Sequence, residues 1–309
     1  MRISTSARYA LIVCASIAML AGCNSSSSVL SPPSSVAPGG NVYVADSATD
    51  TVKEMLAPGY STINKLGSGF CDPQRIALDG SGNVFVPDVC ANEVKEILAA
   101  GGYKTVKKLR PRFDAPVGVA VDSSNNVWVV DDNSSSQGVY EILAAGGYTK
   151  VKQFGSGFNH PGAIAVDGAD NVYVADSNNY EVKEMLAASG YKTINTLGSG
   201  INDPTGIAVD ASSNVYVGSD TDGTIKEILA AGGYKTVNTL ASGFKQPQGL
   251  AVDGSGNVYV AAVNSPPVKE ILAVGGSVPP SPKIIALGSG ISQPAGIAIQ
   301  HPSISNIRR

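Results

Sequence analysis

The chain has 309 residues, with 25 acidic and 22 basic side chains for a net charge of −3. Apolar residues make up 43% and charged residues only 15%, alongside 35 glycines and 18 prolines; this excludes a disordered chain and a coiled coil. There is no basic excess to suggest nucleic acid as a partner, and two histidines, His160 and His301, argue against a multi-histidine metal centre.

Residues 1–22 read as an export signal. Arg2 and Arg8 give a positive start, and residues 10–20 form an apolar run broken only by Ser16. The run is too short to span a bilayer as a helix and suits a secretory signal core. It ends in Leu20-Ala21-Gly22-Cys23, which resembles a bacterial lipobox, where small residues admit the chain to the lipoprotein signal peptidase and the Cys thiol receives the lipid. Cys14 is the poorer choice, because Val13 before it is not small. An ordinary signal peptide with a chance cysteine is the alternative. Cleavage before Cys23 removes Arg2 and Arg8 and takes the net charge from −3 to −5. Two or more acyl chains anchor stably, so a membrane is the first expected partner. Asn24, not Asp, follows the cysteine; in a diderm cell that favours the outer membrane. Residues 23–40, rich in Ser, Pro and Gly, are expected to be a tether.

From residue 41 one unit recurs. Asn41-Val42-Tyr43-Val44 returns at Asn83, Asn126, Asn171, Asn214 and Asn257, with Phe85 or Trp128 replacing Tyr in two copies and spacings of 42, 43, 45, 43 and 43. A fixed period in this range signals a repeat architecture. One full copy runs from Pro204-Thr-Gly-Ile-Ala-Val-Asp210 through Asn214-Val-Tyr-Val217 and Thr224–Leu229 to Tyr234–Leu240. Short apolar runs bounded by Gly, Asp, Asn and Ser read as buried strands, and four per unit is the spacing of a propeller blade. Residues 93–100 have helical propensity and Gly101-Gly102 resembles a helix cap. So short a stretch is a poor helix on its own, and strand, Gly-Gly hairpin, strand is the preferred reading. The first unit lacks its Pro-x-Gly strand, and the last segment, residues 294–299, supplies that strand alone. The fold class is therefore all-β, a six-bladed propeller over residues 41–300, closed by the C-terminal strand lying innermost beside residues 41–46. Residues 301–309 are a tail.

The repeated Pro-x-Gly-Ile-Ala-Val-Asp, Gly-Asn-Val-Tyr-Val-Ala-Asp and Val-Lys-Glu strings resemble the NHL-repeat family of β-propellers across residues 41–299. The resemblance implies the fold more firmly than the function, since such relatives include secreted lyases, envelope binding modules and sensor domains. It also implies tests of residue type. Amidating-lyase relatives use several histidines around zinc, and this chain has one histidine in a blade. Virginiamycin-lyase relatives need a His–Glu–metal cluster, and most Glu residues here belong to the Val-Lys-Glu strand, away from the mouth. Gly-Ser-Gly at 67–69, 155–157, 198–200 and 288–290 is a repeated turn, not a phosphate loop.

The position leaving each second strand holds Asp46, Asp88, Asp131, Asp176, Ser219 and Ala262. These aspartates either ring the channel mouth for a cation or amine, or accept backbone N–H groups in their own turns. Departures from the repeat are the sharper candidates. Arg75 stands where other units have glycine, Asp132 follows Asp131, and His160 precedes Pro161. Arg75, Asp88, Asp131, Asp132, His160 and Asp176 are the candidate ligand-binding mouth, to be weighed against drift on solvated loops. Trp128, the only tryptophan, is expected to pack between blades.

Cys71 and Cys90 flank a hairpin centred on residues 79–83, so they face each other, and export favours oxidation. A disulfide between them is expected to stabilise by roughly 3 kcal/mol. The expected function is a non-catalytic, lipid-anchored envelope module, monomeric, without metal or other cofactor, binding a protein or small ligand. The alternatives are a lyase or hydrolase with a carboxylate-bound metal at the mouth, and a sensor domain acting through a separate partner.

Overall fold

The computed structural model describes residues 39–110, 112–133, 137–263 and 266–300. The signal segment, Cys23, the tether up to residue 38 and His301 lie outside them. The repeat folds into six four-stranded antiparallel sheets. Blade I orders Pro294–Ile299, Val42–Asp46, Thr51–Met55 and Ile63–Leu66. Blade II follows with Ala77–Leu78, Val84–Asp88, Glu93–Ile97 and Val106–Lys108. Blades III to VI begin with Pro116–Val121, Pro161–Val166, Pro204–Val209 and Pro247–Val252 and repeat the order. Residues 93–100 are strand and turn: Leu98 donates to Thr105 O at 2.9 Å, and Gly101 and Gly102 have φ of +81° and +72°.

The hydrophobic core is divided into layers, one at each blade boundary. Trp128 of blade III, for example, packs with Ile164, Val174 and Met185 of blade IV, and Tyr43 of blade I with Val84 and Val86 of blade II. Second strands are buried along their whole length, which is why they show no polar alternation. Outer strands such as Ile194–Leu197 bury only their last residue.

The repeated polar residues serve the turns. Asp122 Oδ1 accepts the N–H groups of Ser124 and Asn126, and its Oδ2 accepts the Asn126 side chain. Asp79 and Asp210 do the same in their hairpins. The Asn Oδ1 then accepts an N–H from the following hairpin, as Asn83 does from Ala99 and Asn214 from Ala230. Backbone donors that would otherwise be orphaned are satisfied blade after blade.

The Pro-x-Gly glycine has a different cause. A Cβ at Gly296 would lie 2.6 Å from Arg75 Cα, and one at Gly249 would lie 2.9 Å from Ile297 N. Innermost strands of neighbouring blades pass too closely there for a side chain.

Closure follows the expected pairing, with Val42 opposite Ile299 and Ala45 opposite Gly296. The seam reuses the chemistry of other boundaries. Lys53 Nζ donates to Asp46 and to Gly290 O at the seam. Lys183 bridges Asp176 and Gly157 O, and Lys95 bridges Asp88 and Gly69 O, in the same way. The Gly-Ser-Gly turns thus offer a carbonyl to the next blade's lysine.

Candidate functional site

One face of the ring carries the segments entering each first strand and leaving each second strand. A hydrogen bond ties them within each of several blades: Ser47 N–H to Gln293 O, Val89 to Asp72, Asp132 to Ala115, Ser177 to His160 and Asp220 to Asp203. Those positions form the rim.

The aspartates at the end of the second strands do not reach the rim as open ligands. Asp88 is buried and accepts the Cys71 N–H at 2.7 Å and the Lys95 ammonium. Asp131 accepts the N–H groups of Asp114 and Ala115, each at 2.9 Å. Asp176 accepts from Asn159 N at 2.7 Å and Lys183 Nζ at 2.5 Å. At Asp46 burial raises the carboxyl pKa, but hydrogen bonds from Lys53, Gln293 and Ser292 outweigh it and hold the group below the usual 3.8. The repeated aspartates therefore fasten each incoming segment to its blade.

Asp132 and His160 come together across the boundary of blades III and IV. His160 Nδ1 lies 3.2 Å from Asp132 Oδ2 in a hydrogen bond, and 3.1 Å from Oδ1 without hydrogen-bond alignment. The His160 side chain is 51% exposed and that of Asp132 26%, so the pair is presented to solvent at the rim. Burial raises the Asp132 carboxyl above 3.8, while His160 and Arg75 pull it down. His160 has φ +50°, a backbone region more accessible to His, Asn and Asp than to most side chains.

Blade V adds two rim carboxylates that the sequence reading did not single out. Burial raises the Asp203 pKa, and the nearby charge of Asp220 raises it further. Asp203 occupies the pre-proline position of His160, and Asp220 the position of Asp132; the alignment that exposed one pair contained the other.

Arg75 is set apart from this rim. Its side chain reaches across the channel, Nε donating to Thr205 O of blade V at 3.0 Å and to Gln248 O of blade VI at 3.1 Å, with Nη1 3.5 Å from Val117 O of blade III. It touches neither Asp132 nor His160 through a hydrogen bond or ion pair. It lines a central cavity of about 220 Å³ whose wall includes Ile76, Val119, Ile207 and Ile297.

Two further expectations concern the blades. Cys71 and Cys90 are disulfide-bonded, with Cα atoms 5.6 Å apart. Trp128 is fully buried, meets Tyr191 of the next blade edge-to-face with ring centroids 4.7 Å apart, and donates to Asp122 Oδ2 at 3.1 Å.

Among the described residues no group of three or more His, Cys, Asp or Glu side chains is placed to hold a metal. The buried aspartate oxygens already accept backbone and lysine hydrogens. This donor set does not fit a resident divalent ion.

The closed ring of six four-stranded blades, with its polar rim at one end of a central channel, defines a β-propeller. The family model for the NHL repeat matches residues 158–184, the stretch that carries His160, Asp176 and one Val-Lys-Glu strand. No curated protein sequence matches the chain. Among solved structures, it is similar to a chain of a nidogen/laminin complex (TM-score 0.69, 16% identity, 84% of this chain and 98% of that one). It is also similar to a streptogramin B lyase (TM-score 0.61, 12% identity, 84% and 83%). A third is a functionally unknown protein from Desulfotomaculum acetoxidans DSM 771 (TM-score 0.62, 15% identity, 85% and 100%). At these identities the likeness is one of fold.

Proposed function

We propose that this propeller is a non-catalytic binding module, held to a cell-envelope membrane by lipid on Cys23, that engages a protein partner through its channel mouth. The observation that carries the reading is the Asp132–His160 pair, a hydrogen-bonded pair displayed across a blade boundary at the rim. His160 departs from the repeat, since the other blades place Asp, Ala or Gln before this proline, whereas the residue type of Asp132 recurs at Asp220 of blade V. The nidogen/laminin structure, a complex of two proteins, supports such a use of the fold. The streptogramin B lyase keeps catalysis as the competing use, but among the described residues the metal-dependent form of that reading finds no group of three or more His, Cys, Asp or Glu side chains placed to hold an ion. The anchor rests on Leu20-Ala21-Gly22-Cys23.

Crosslinking in cells followed by partner identification tests the reading. The wild-type chain is expected to capture a specific envelope or extracellular protein that is lost when Asp132→Asn and His160→Gln are combined. Capture unaffected by the double substitution contradicts it. For the anchor, labelled fatty acid is expected in the wild-type chain and absent from Cys23→Ala; label retained in the variant refutes lipidation at Cys23.

A further inference from the structure

We propose that the central channel is a binding site for a small organic monocarboxylate, its carboxylate held by Arg75. This is independent of docking at the rim.

Among the described residues, Arg75 is the only charged side chain in the wall of the central cavity. A guanidinium has five N–H donors. Here Nε serves two carbonyl oxygens, Nη1 lies at the limit of one, and Nη2 has no hydrogen-bond partner among the described residues. Each of these partners is a neutral carbonyl, and among the described residues no carboxylate pairs with the group. Burial in the ring lowers the Arg75 pKa to about 10, and the more distant Asp132 charge only partly offsets this. The side chain is half-buried, and a cation partly withdrawn from water is ordinarily paired. The planar fork suits a carboxylate, which takes two parallel N–H bonds.

The space beside Arg75 sets the size of the ligand's body. Its side-chain lining is otherwise aliphatic apart from Gln248, with Ile76, Val119, Ile164, Ile207 and Leu250 around it. An apolar cavity of about 150 Å³ holds benzene, so about 220 Å³ accepts a body of about nine non-hydrogen atoms. Benzoate and hexanoate are of that size. Val166, Val209 and Val252 line both this cavity and a second one of about 470 Å³ at the hairpin face. The two cavities therefore adjoin at these valines, with the guanidinium at the mouth end of the first.

The test is thermal denaturation of the purified full chain with benzoate or hexanoate, each against its neutral amide, benzamide or hexanamide, at constant ionic strength set with sodium chloride. At about a hundredfold excess over the dissociation constant the carboxylates are expected to raise Tm by about 5 °C, with the amides inactive. Arg75→Gln is expected to lose the shift, while the Asp132→Asn/His160→Gln chain keeps it. Equal effects of acid and amide in the wild-type chain overturn the proposal, whether or not Arg75→Gln folds. So does a shift retained in Arg75→Gln, or one that chloride alone reproduces. Loss of the shift in the rim variant, with Arg75 intact, also counts against it, because it would move the site to the rim.

Discussion

Asp132 of blade III and His160 of blade IV meet at 3.1 Å across a blade boundary, 28 positions apart in the chain. With His160 half exposed, such a pair contributes about 0.5 kcal/mol. Asp132→Asn is expected to shift Tm by no more than about 2 °C while reducing capture of the partner at least tenfold. Thermal denaturation and quantitative crosslinking on the same preparations separate the two effects.

Ring closure is expected to weaken in acid. Asp46 accepts from Ser292 and Gln293, which lead into the closing strand, and from Lys53. Its folded pKa lies below 3.8, so the native state binds fewer protons than the unfolded state around and below that value. The stabilisation is complete above pH 3.8 and disappears as pH falls through the folded pKa. Stability measured from pH 6 to pH 2 is expected to fall more steeply for the wild type than for Asp46→Asn. Parallel curves contradict the assignment.

Reduction of Cys71–Cys90 is expected to lower stability by about 3 kcal/mol, or roughly 6–10 °C in Tm. The bridge ties the segment entering blade II to the one leaving its second strand, where Asp88 also accepts the Cys71 N–H. A Cys71→Ala/Cys90→Ala chain should show the same loss without reductant.

Gly296 has no room for a methyl group, since its Cβ would fall 2.6 Å from both Arg75 Cα and Gln74 O. Gly296→Ala is expected to destabilise by about 3 kcal/mol. Gly80→Ala, where a Cβ meets nothing within 4 Å, is expected to be nearly neutral by the same denaturant titration.

The blades were legible because each needs the same buried second strand, so Asn-Val-aromatic-Val recurs wherever one exists. Closure was legible from two half units, and the disulfide from the hairpin about residues 79–83, whose partners Ala77 and Phe85 pair as expected. The fate of the repeated aspartates was not. An Asp that accepts backbone hydrogens and one that faces solvent look alike in a sequence, and only the fold shows that Asp88, Asp131 and Asp176 are buried. The reach of Arg75 to Thr205 and Gln248, 130 and 173 positions away, depends on the diameter of the closed ring. Asp203 and Asp220 were overlooked because aspartate is common at these turns and broke no visible rule.

The central claim is that the mouth face is the docking surface. Its most direct test is site-specific photocrosslinking in cells, with the photoreactive residue at Asp220 on the rim or at Ser212 in a hairpin turn of the same blade on the opposite face. A discrete crosslinked protein from position 220, absent from position 212 and lost with the Asp132→Asn/His160→Gln pair, is the predicted result. Crosslinks of equal strength from both faces, or from position 212 alone, would contradict it.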